Sequence, residues 1–139
     1  MSGLPSRKID IFSHILTPKY KEALYKKAKP CYNLEANLAR PALSDLDERF
    51  RVMDKFEGLR QVLTVGAPPV EYVVSPDEAV ELSKIANDEM AKLVETYPNR
   101  FVAAVAQILS DPNSRNYENL GNGPSRCDTA HASVRPHRK

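Results

Sequence analysis

The chain has 139 residues, of which 42% are hydrophobic and 27% charged, a composition that suits one folded domain and excludes global disorder. Its net charge is only +2 and both signs are interspersed, which argues against a nucleic-acid-binding surface. Two cysteines without a disulfide framework, no apolar leader and no apolar run of membrane-spanning length predict a cytoplasmic protein with no membrane partner.

Hydrophobic residues are unevenly distributed along the chain. Residues 1–109 contain nearly all the Leu, Ile, Val, Met and Phe, whereas residues 110–139 contribute only Leu120 and Val134 from this group. So few apolar side chains cannot offset the entropy that a segment of this length loses on ordering. The sequence therefore predicts an α/β body at residues 1–109 and an irregular, disordered tail at residues 110–139.

The first predicted elements are a strand and a helix. Residues 8–16 form a short apolar run, which is typical of a strand buried in a parallel sheet. Thr17, a possible N-cap followed by proline, predicts a helix at about residues 19–28. The stretch 30–43, which begins with a proline, is predicted to be irregular.

A second helix and strand follow. Ser44 is the predicted N-cap of a helix, and Gly58 is placed to end it as a C-cap glycine would. Its apolar stripe consists of Leu46, Phe50, Met53 and Phe56. Residues 59–65 are the second predicted strand.

The third helix has the clearest start signal in the chain. Ser75 is followed by proline and, three residues after the serine, by Glu78, which together predict a capping box. The helix is predicted to run to about Tyr97, and residues 100–109 form a third apolar strand.

The order of these elements indicates the fold class. Apolar strands that alternate with amphipathic helices predict right-handed crossovers and a parallel sheet, either an open doubly wound sheet or part of a closed barrel. No glycine-rich turn follows the first strand, where residues 15–18 read Ile-Leu-Thr-Pro, so a Rossmann dinucleotide site is disfavoured.

His14 is the main candidate for chemistry. It lies near the carboxyl end of the first strand, and strand alternation places Asp10, Phe12 and His14 on one face. One interpretation of His14 is a ligand for a divalent metal such as zinc; the other is a partly buried histidine bonded to a backbone carbonyl. Asp10 either orients His14 or a ligand through a hydrogen bond, or pairs with a lysine or caps a turn.

The remaining polar residues do not complete an active site. The body contains one histidine, so no Ser/His/Asp or Cys/His set can be assembled. Cys127, His131 and His137 in the tail are too few and too irregularly spaced for a structural zinc site. Whether the chain itself is an enzyme therefore stays open.

Three ordered segments within residues 8–109 resemble the amidohydrolase-related proteins. Residues 9–18 resemble that family's first strand, which reads Asp-x-His-x-His before a proline-bearing loop. The second segment is similar to the family's Arg-x-x-Met-Asp, glycine and strand pattern, and the third to its Asn-Asp and Pro-x-Arg-Phe signature. The residues that carry these two matches are Arg51, Met53, Asp54, Gly58, Asn87, Asp88, Pro98, Arg100 and Phe101.

The resemblance implies part of a (β/α)8 (TIM) barrel, with about three of eight strands present. The branch that includes aminocarboxymuconate-semialdehyde and γ-resorcylate decarboxylases implies a carboxy-lyase or hydrolase. Such an enzyme would depend on a divalent metal, usually zinc, and act on small, often aromatic, carboxylic acids. His14 matches the second histidine of the first-strand pair, but Phe12 replaces the first and cannot bind a metal. The sequence thus predicts a truncated chain that is inactive alone.

A non-catalytic hypothesis stands beside this one. Three parallel strands would leave two unpaired sheet edges, through which an α/β fragment or interaction module could associate with another chain. The strand faces predicted to be left uncovered carry Ile11, Val62, Val65, Val102 and Val105. Self-association is the expected consequence of such exposed apolar surface.

Overall fold

The computed structural model describes residues 7–109. The prediction of a disordered tail at residues 110–139 therefore lies outside the described residues. Three strands alternate with helices, as predicted. In chain order the elements are β1 (Lys8–Ile15), α1 (Pro18–Lys27), α2 (Tyr32–Leu38), α3 (Leu46–Met53), β2 (Leu59–Val65), α4 (Pro76–Thr96) and β3 (Phe101–Ala104), with 3-10 turns at Pro41–Leu43 and Val70–Tyr72.

The three strands form one parallel sheet in the order β1-β2-β3. This arrangement confirms the predicted α/β class with a parallel sheet. Within the described residues, β1 and β3 are the two edge strands, and β2 is paired on both sides. The carboxyl ends of all three strands therefore meet at one edge of the sheet, where side chains from different strands can share a cavity.

The start of α4 follows its sequence signal. The Ser75 side chain and the backbone of Glu78 form one half of a capping box, and the Glu78 carboxylate with the Ser75 backbone forms the other. The two bonds satisfy donors that the first helical turn leaves unpaired. The helix ends at Thr96, one residue before the predicted end at Tyr97.

The N-cap position predicted for α1, Thr17, is confirmed, whereas the cap predicted for α3, Ser44, is wrong. Asp45, not Ser44, caps α3, because its carboxylate accepts hydrogen bonds from the backbone of residues 47 and 48. Thr17 stands at the N-cap of α1 without a side-chain cap bond. Instead, the Glu89 carboxylate on α4 accepts from the backbone N–H groups of Lys19 and Tyr20, at 3.2 and 2.9 Å.

Helix α3 is shorter than its apolar stripe predicted. It ends at Met53, and Phe56 is 52% exposed in the turn that follows. Gly58 does not close the helix but lies in this turn with φ +72°, a conformation that favours glycine. The chain thereby reverses into β2.

Residues 30–43 are not irregular, because α2 and a 3-10 turn occupy most of them. The sequence does not predict α2 because the helix has only seven residues, fewer than a periodic pattern of apolar residues needs to be recognised. Its buried Leu34 joins the core, and its buried Asn37 donates to the carbonyl of Ala67 at 2.7 Å. Tertiary contacts therefore stabilise this short helix.

The third strand is also shorter than predicted, with four residues in place of ten. The last hydrogen bond between β3 and β2 is donated by the backbone N–H of Val105 to the carbonyl oxygen of Leu63, at 2.8 Å. Beyond it the backbone of Gln107 turns to α4, where the Asn87 amide both donates to its carbonyl and accepts from its N–H. A side chain on the helix thus replaces strand pairing.

Two apolar clusters hold the elements together. In the first, Ile15, Leu63 and Phe101 of the strands pack against Met53 of α3 and Met90 of α4. The second cluster joins α1, α2 and α4 beyond the strand ends; it contains Leu16, Tyr20, Leu24, Cys31, Leu34, Val70, Val73, Ala79, Leu82 and Ala86. Both clusters make α4 the central helix of the described fold.

Another part of the sheet surface is exposed. Ile11 and Phe12 are 74% and 71% exposed, and Val105 is 55% exposed. Val65 is predicted to lie on the uncovered surface, and this prediction is wrong, because Val65 packs against both apolar clusters.

Within residues 7–109, no helix is long and apolar enough to cross a bilayer.

Candidate functional site

The ring of His14 is held by two contacts at the carboxyl end of β1. Its Nδ1 lies 2.9 Å from the Thr64 hydroxyl oxygen on β2. The Phe12 ring meets it edge-on, with 4.6 Å between ring centroids. Since Nε2 has no hydrogen-bond partner within the described part of the chain, it is the ring atom that can bind a ligand.

Asp10 does not share the face of His14, contrary to the strand-alternation prediction. The register shifts between Asp10 and Ser13, so that Asp10 pairs with Gln61 and Ser13 with Leu63. Two residues of β1 thus oppose Val62 alone, which is a β-bulge and reverses the alternation. The Asp10 carboxylate accepts from the Phe12 N–H at 3.1 Å and lies 3.5 Å from Nε2 of Gln61.

The bulge explains the separate role of Asp10. A bulge leaves a backbone N–H without a strand partner, and the Asp10 carboxylate accepts the hydrogen bond from Phe12. The carboxylate therefore caps the bulge, which is the turn-capping alternative for Asp10. Among the described residues it makes no hydrogen bond to the His14 ring.

Arg49 on α3 is the buried charge nearest to the site. It is 6% exposed and donates to the Ser13 hydroxyl at 3.0 Å, the Gln61 side-chain oxygen at 2.9 Å and the backbone carbonyl of His14. A fourth bond runs to the Ala42 carbonyl at 3.0 Å. Burial lowers the pKa of its guanidinium, which is nevertheless charged at neutral pH.

Two cavities share His14 as a wall. The first, of about 350 Å³, lies at the carboxyl ends of the strands; it is lined by His14, Thr64, Val65, Gly66, Ala67, Pro68, Pro69, Glu71, Val105, Ala106 and Gln107. The second, also of about 350 Å³, lies beside β1; its lining includes Asp10, Phe12, His14, Arg40, Leu43, Arg49 and Val52. His14, Arg40 and Arg49 therefore border one cavity.

The loops that form the first cavity are fixed by side-chain amides. Asn37 donates to the Ala67 carbonyl after β2, and Asn87 makes a pair of bonds with the backbone of Gln107 after β3. Residues on helices thus hold the backbone beside the cavity at two strand ends. This fixation favours a preformed cavity.

The described residues do not fit a complete zinc site. His14 supplies one imidazole, and Phe12, which by the resemblance stands where a second first-strand histidine is expected, supplies none. Within residues 7–109, no three His, Cys, Asp or Glu side chains are grouped as metal ligands. Cys31 is buried in the apolar cluster, and Cys127, His131 and His137 lie outside the described residues. Protein zinc sites need three or four ligands, so one imidazole is insufficient.

Three residues beside His14 were missed by the sequence analysis. Thr64 lies in a strand that was assigned only a structural role, although its position near the carboxyl end of β2 was a usable signal. Arg49 occupies a helix that was interpreted through its apolar stripe. Arg40 falls in the stretch predicted to be irregular, where no periodicity indicates which side chains face a cavity.

No family model matches the chain. A crystal structure from Staphylococcus aureus assigned to the amidohydrolases superposes with a TM-score of 0.51 at 23% identity, covering 84% of this chain and 35% of that one. At this identity the match shows the fold alone: residues 7–109 have the strand and helix arrangement of part of a (β/α)8 barrel.

Sequence comparison finds curated relatives over about half of the chain. γ-Resorcylate decarboxylase from Rhizobium radiobacter is 32% identical over 72 residues, which are 52% of this chain and 22% of that protein. The enzyme of the same name from Polaromonas sp. (strain JS666 / ATCC BAA-500) is 34% identical over 74 residues, 52% of this chain and 23% of that protein. The chain thus matches between a fifth and a quarter of the length of these relatives. Similarity to these decarboxylases in sequence and to an amidohydrolase in fold confirms the resemblance to the amidohydrolase-related proteins.

Proposed function

We propose that this chain carries the part of an amidohydrolase-type decarboxylase or hydrolase site that binds a small carboxylic acid, without the complete catalytic set. The observation that supports the proposal is that His14 and Arg40 line one cavity. Arg40 is exposed, and no carboxylate among residues 7–109 forms an ion pair with it. Its guanidinium is therefore available to a ligand.

The chemistry of this cavity suits an aromatic carboxylate. A guanidinium presents parallel N–H donors that match the two oxygens of a carboxylate. The side chains of Phe12, Leu43 and Val52 also line the cavity and offer apolar surface to an aromatic ring. The name of the sequence relatives, γ-resorcylate decarboxylase, refers to a dihydroxybenzoate, which has both a carboxylate and an aromatic ring.

The reaction itself needs groups beyond those described. In the related decarboxylases a divalent metal, zinc by resemblance, would supply Lewis-acid chemistry. Residues 7–109 offer one ligand for it, His14, and so no step of the reaction is assigned to this chain. Whether the whole protein decarboxylates or hydrolyses its substrate depends on those other groups.

A binding experiment tests the proposal on the full chain. Titration of 2,6-dihydroxybenzoate and benzoate, followed by NMR shifts of assigned residues, should move signals of His14 and Arg40. Resorcinol, which lacks the carboxylate, should bind more weakly by at least about tenfold, because it forms no charge-assisted hydrogen bond. Arg40→Met should produce a similar loss, whereas Arg51→Met, an exposed arginine paired with Glu48, should not. Equal binding of benzoate and resorcinol would contradict the proposal.

The second candidate function is association through the open sheet. It is supported by the exposure of Ile11 and Phe12 on edge strand β1 and of Val105 after edge strand β3. Adjacent exposed apolar side chains of this size commonly mark a contact surface. A second copy of the chain is the proposed partner. Light scattering over a concentration series should then show a mass that rises above 15.6 kDa, and a constant monomer mass would contradict it.

A further inference from the structure

The contact between His14 and Thr64 has two possible hydrogen-bond directions. The hydroxyl can donate to Nδ1, which leaves the ring proton on Nε2, or Nδ1–H can donate to the hydroxyl oxygen, which leaves Nε2 with a lone pair. These two tautomers bind different ligands. An Nε2–H group donates a hydrogen bond to an anion, whereas an Nε2 lone pair binds a metal or accepts a proton.

The surroundings of the pair favour the first direction. The Thr64 hydroxyl has no other hydrogen-bond partner within the part of the chain that the structure describes. If Nδ1–H donated to it, the hydroxyl proton would lack an acceptor within that part while Nε2 also lacked a donor. If the hydroxyl donates to Nδ1, the hydroxyl proton lies in that hydrogen bond and the ring proton lies on Nε2, the ligand-binding atom. Each direction thus leaves one donor without an acceptor among the described residues. Donation from the hydroxyl to Nδ1 places that donor at Nε2, where a ligand carboxylate can accept its proton, and we therefore assign this direction.

We propose that Thr64 is a positioning residue for His14: it fixes the imidazole ring and selects the tautomer that presents Nε2–H to a carboxylate in the adjoining cavity. Phe12 limits the ring from the other side by its edge-on contact at 4.6 Å. The proposal rests on the proposed function for the identity of the ligand. It deepens that function because it names the atom of His14, Nε2–H, that would donate to the ligand carboxylate.

The proposal also connects the tautomer with the poor fit to zinc. A metal ligand that binds through Nε2 usually donates its Nδ1–H to a neighbouring acceptor. The Thr64 hydroxyl in its donating orientation opposes that tautomer. Phe12, in place of a second histidine, and Thr64 therefore act in the same direction, towards an anion-binding imidazole.

The tautomer can be measured without any ligand. Long-range proton–nitrogen NMR of the full chain, at a pH well above the ordinary histidine pKa of about 6.5, distinguishes protonated from unprotonated ring nitrogens. A His14→Asn variant identifies the His14 signals among those of the three histidines. The expected result is a pyrrole-type shift at Nε2 and a pyridine-type shift at Nδ1. The opposite assignment in the wild-type chain would overturn the proposal whether or not any variant folds.

Two variants test the role of Thr64. Thr64→Val keeps the shape but removes the hydroxyl, and the His14 nitrogen shifts should move towards a mixture of both tautomers. Benzoate affinity should fall by about threefold to tenfold, the value of one hydrogen bond. Thr64→Ser, which retains the hydroxyl, should preserve both. Unchanged nitrogen shifts in Thr64→Val would overturn the proposal, whereas a wild-type chain that shows the expected tautomer but binds no benzoate would overturn only the proposed function.

Discussion

The guanidinium of Arg49 donates a hydrogen bond to the backbone carbonyl of His14, which places a buried cation directly behind the site. The same guanidinium reaches Ser13 on β1 and Gln61 on β2. One side chain of α3 therefore ties two neighbouring strands together at the level of the candidate ligand-binding residue. Because its direct partners are neutral acceptors and not a carboxylate, its contribution depends on geometry more than on charge pairing.

Replacing Arg49 by methionine should destabilise the fold strongly. The substitution leaves the Ser13 hydroxyl, the Gln61 amide oxygen and two carbonyls without their donor, and we expect a loss of about 2–4 kcal/mol in the free energy of unfolding. Urea denaturation measures it. Arg51→Met is the control, because Arg51 is exposed and pairs with Glu48, so its loss should stay below about 1 kcal/mol. Equal effects of both variants would contradict the role of Arg49.

A second prediction concerns the cap of α1, which comes from another helix. Glu89 accepts hydrogen bonds from the backbone of Lys19 and Tyr20 in the first turn of α1. Glu89→Ala should cost about 1 kcal/mol of unfolding free energy, as the loss of a helix cap does. Glu95→Ala, at an exposed position of the same helix α4, should cost much less. Thermal or urea unfolding of both variants checks the difference.

The bounds of the large elements could be predicted from the sequence because their signals are local. Strand β2 was predicted at residues 59–65, as observed, and the capping box at Ser75 set the start of α4. Contacts between distant residues could not be predicted in the same way. The cap that Glu89 provides for α1 joins residues 69 and 70 positions apart, and no spacing rule applies to it.

The candidate site was predicted in part. The position of His14 at the end of a parallel strand follows from the order of elements, and so does its neighbour Phe12. The separation of Asp10 could not be predicted, because a β-bulge adds one residue without changing the apolar pattern. The contact with Thr64 depends on the register between β1 and β2, which is set by packing of Ile15 and Leu63 in the core and not by either strand alone.

A third prediction concerns acid stability and Glu78. Hydrogen bonds from the Ser75 side chain and backbone lower the pKa of the Glu78 carboxyl below its ordinary value of 4.5. A carboxyl with a lowered pKa in the folded state stabilises the fold above its unfolded pKa, and this contribution is lost as the pH falls through the folded value. Glu78→Gln should therefore reduce stability at neutral pH and flatten its decline below about pH 4.5. If the stability of the wild-type chain and of Glu78→Gln declined equally steeply with falling pH, the prediction would be contradicted.

A fourth prediction concerns zinc. With His14 as the only family-matched ligand, we expect no stoichiometric zinc in the purified chain after dialysis against a chelator, because protein zinc sites use three or four ligands. Elemental analysis measures the metal content. His14→Asn should leave the value unchanged. One zinc per chain that disappears in this variant would show that ligands outside residues 7–109 complete a site around His14.

The last prediction concerns the exposed apolar residues at the bulge of β1. Ile11 and Phe12 are 74% and 71% exposed, and apolar side chains at an unpaired sheet edge favour association with another copy of the chain. We expect the wild-type chain to bind the dye ANS and to self-associate at tens of micromolar, roughly the concentration at which weak protein contacts are populated. The double variant Ile11→Ser and Phe12→Ser should reduce dye fluorescence and the mass found by light scattering. Phe56→Ser is the matched control, because Phe56 is 52% exposed but lies in the turn after α3, away from the sheet edge. A wild-type chain that is monomeric and does not bind the dye would contradict the association hypothesis, and equal effects of the two substitutions would place the contact outside the edge of β1.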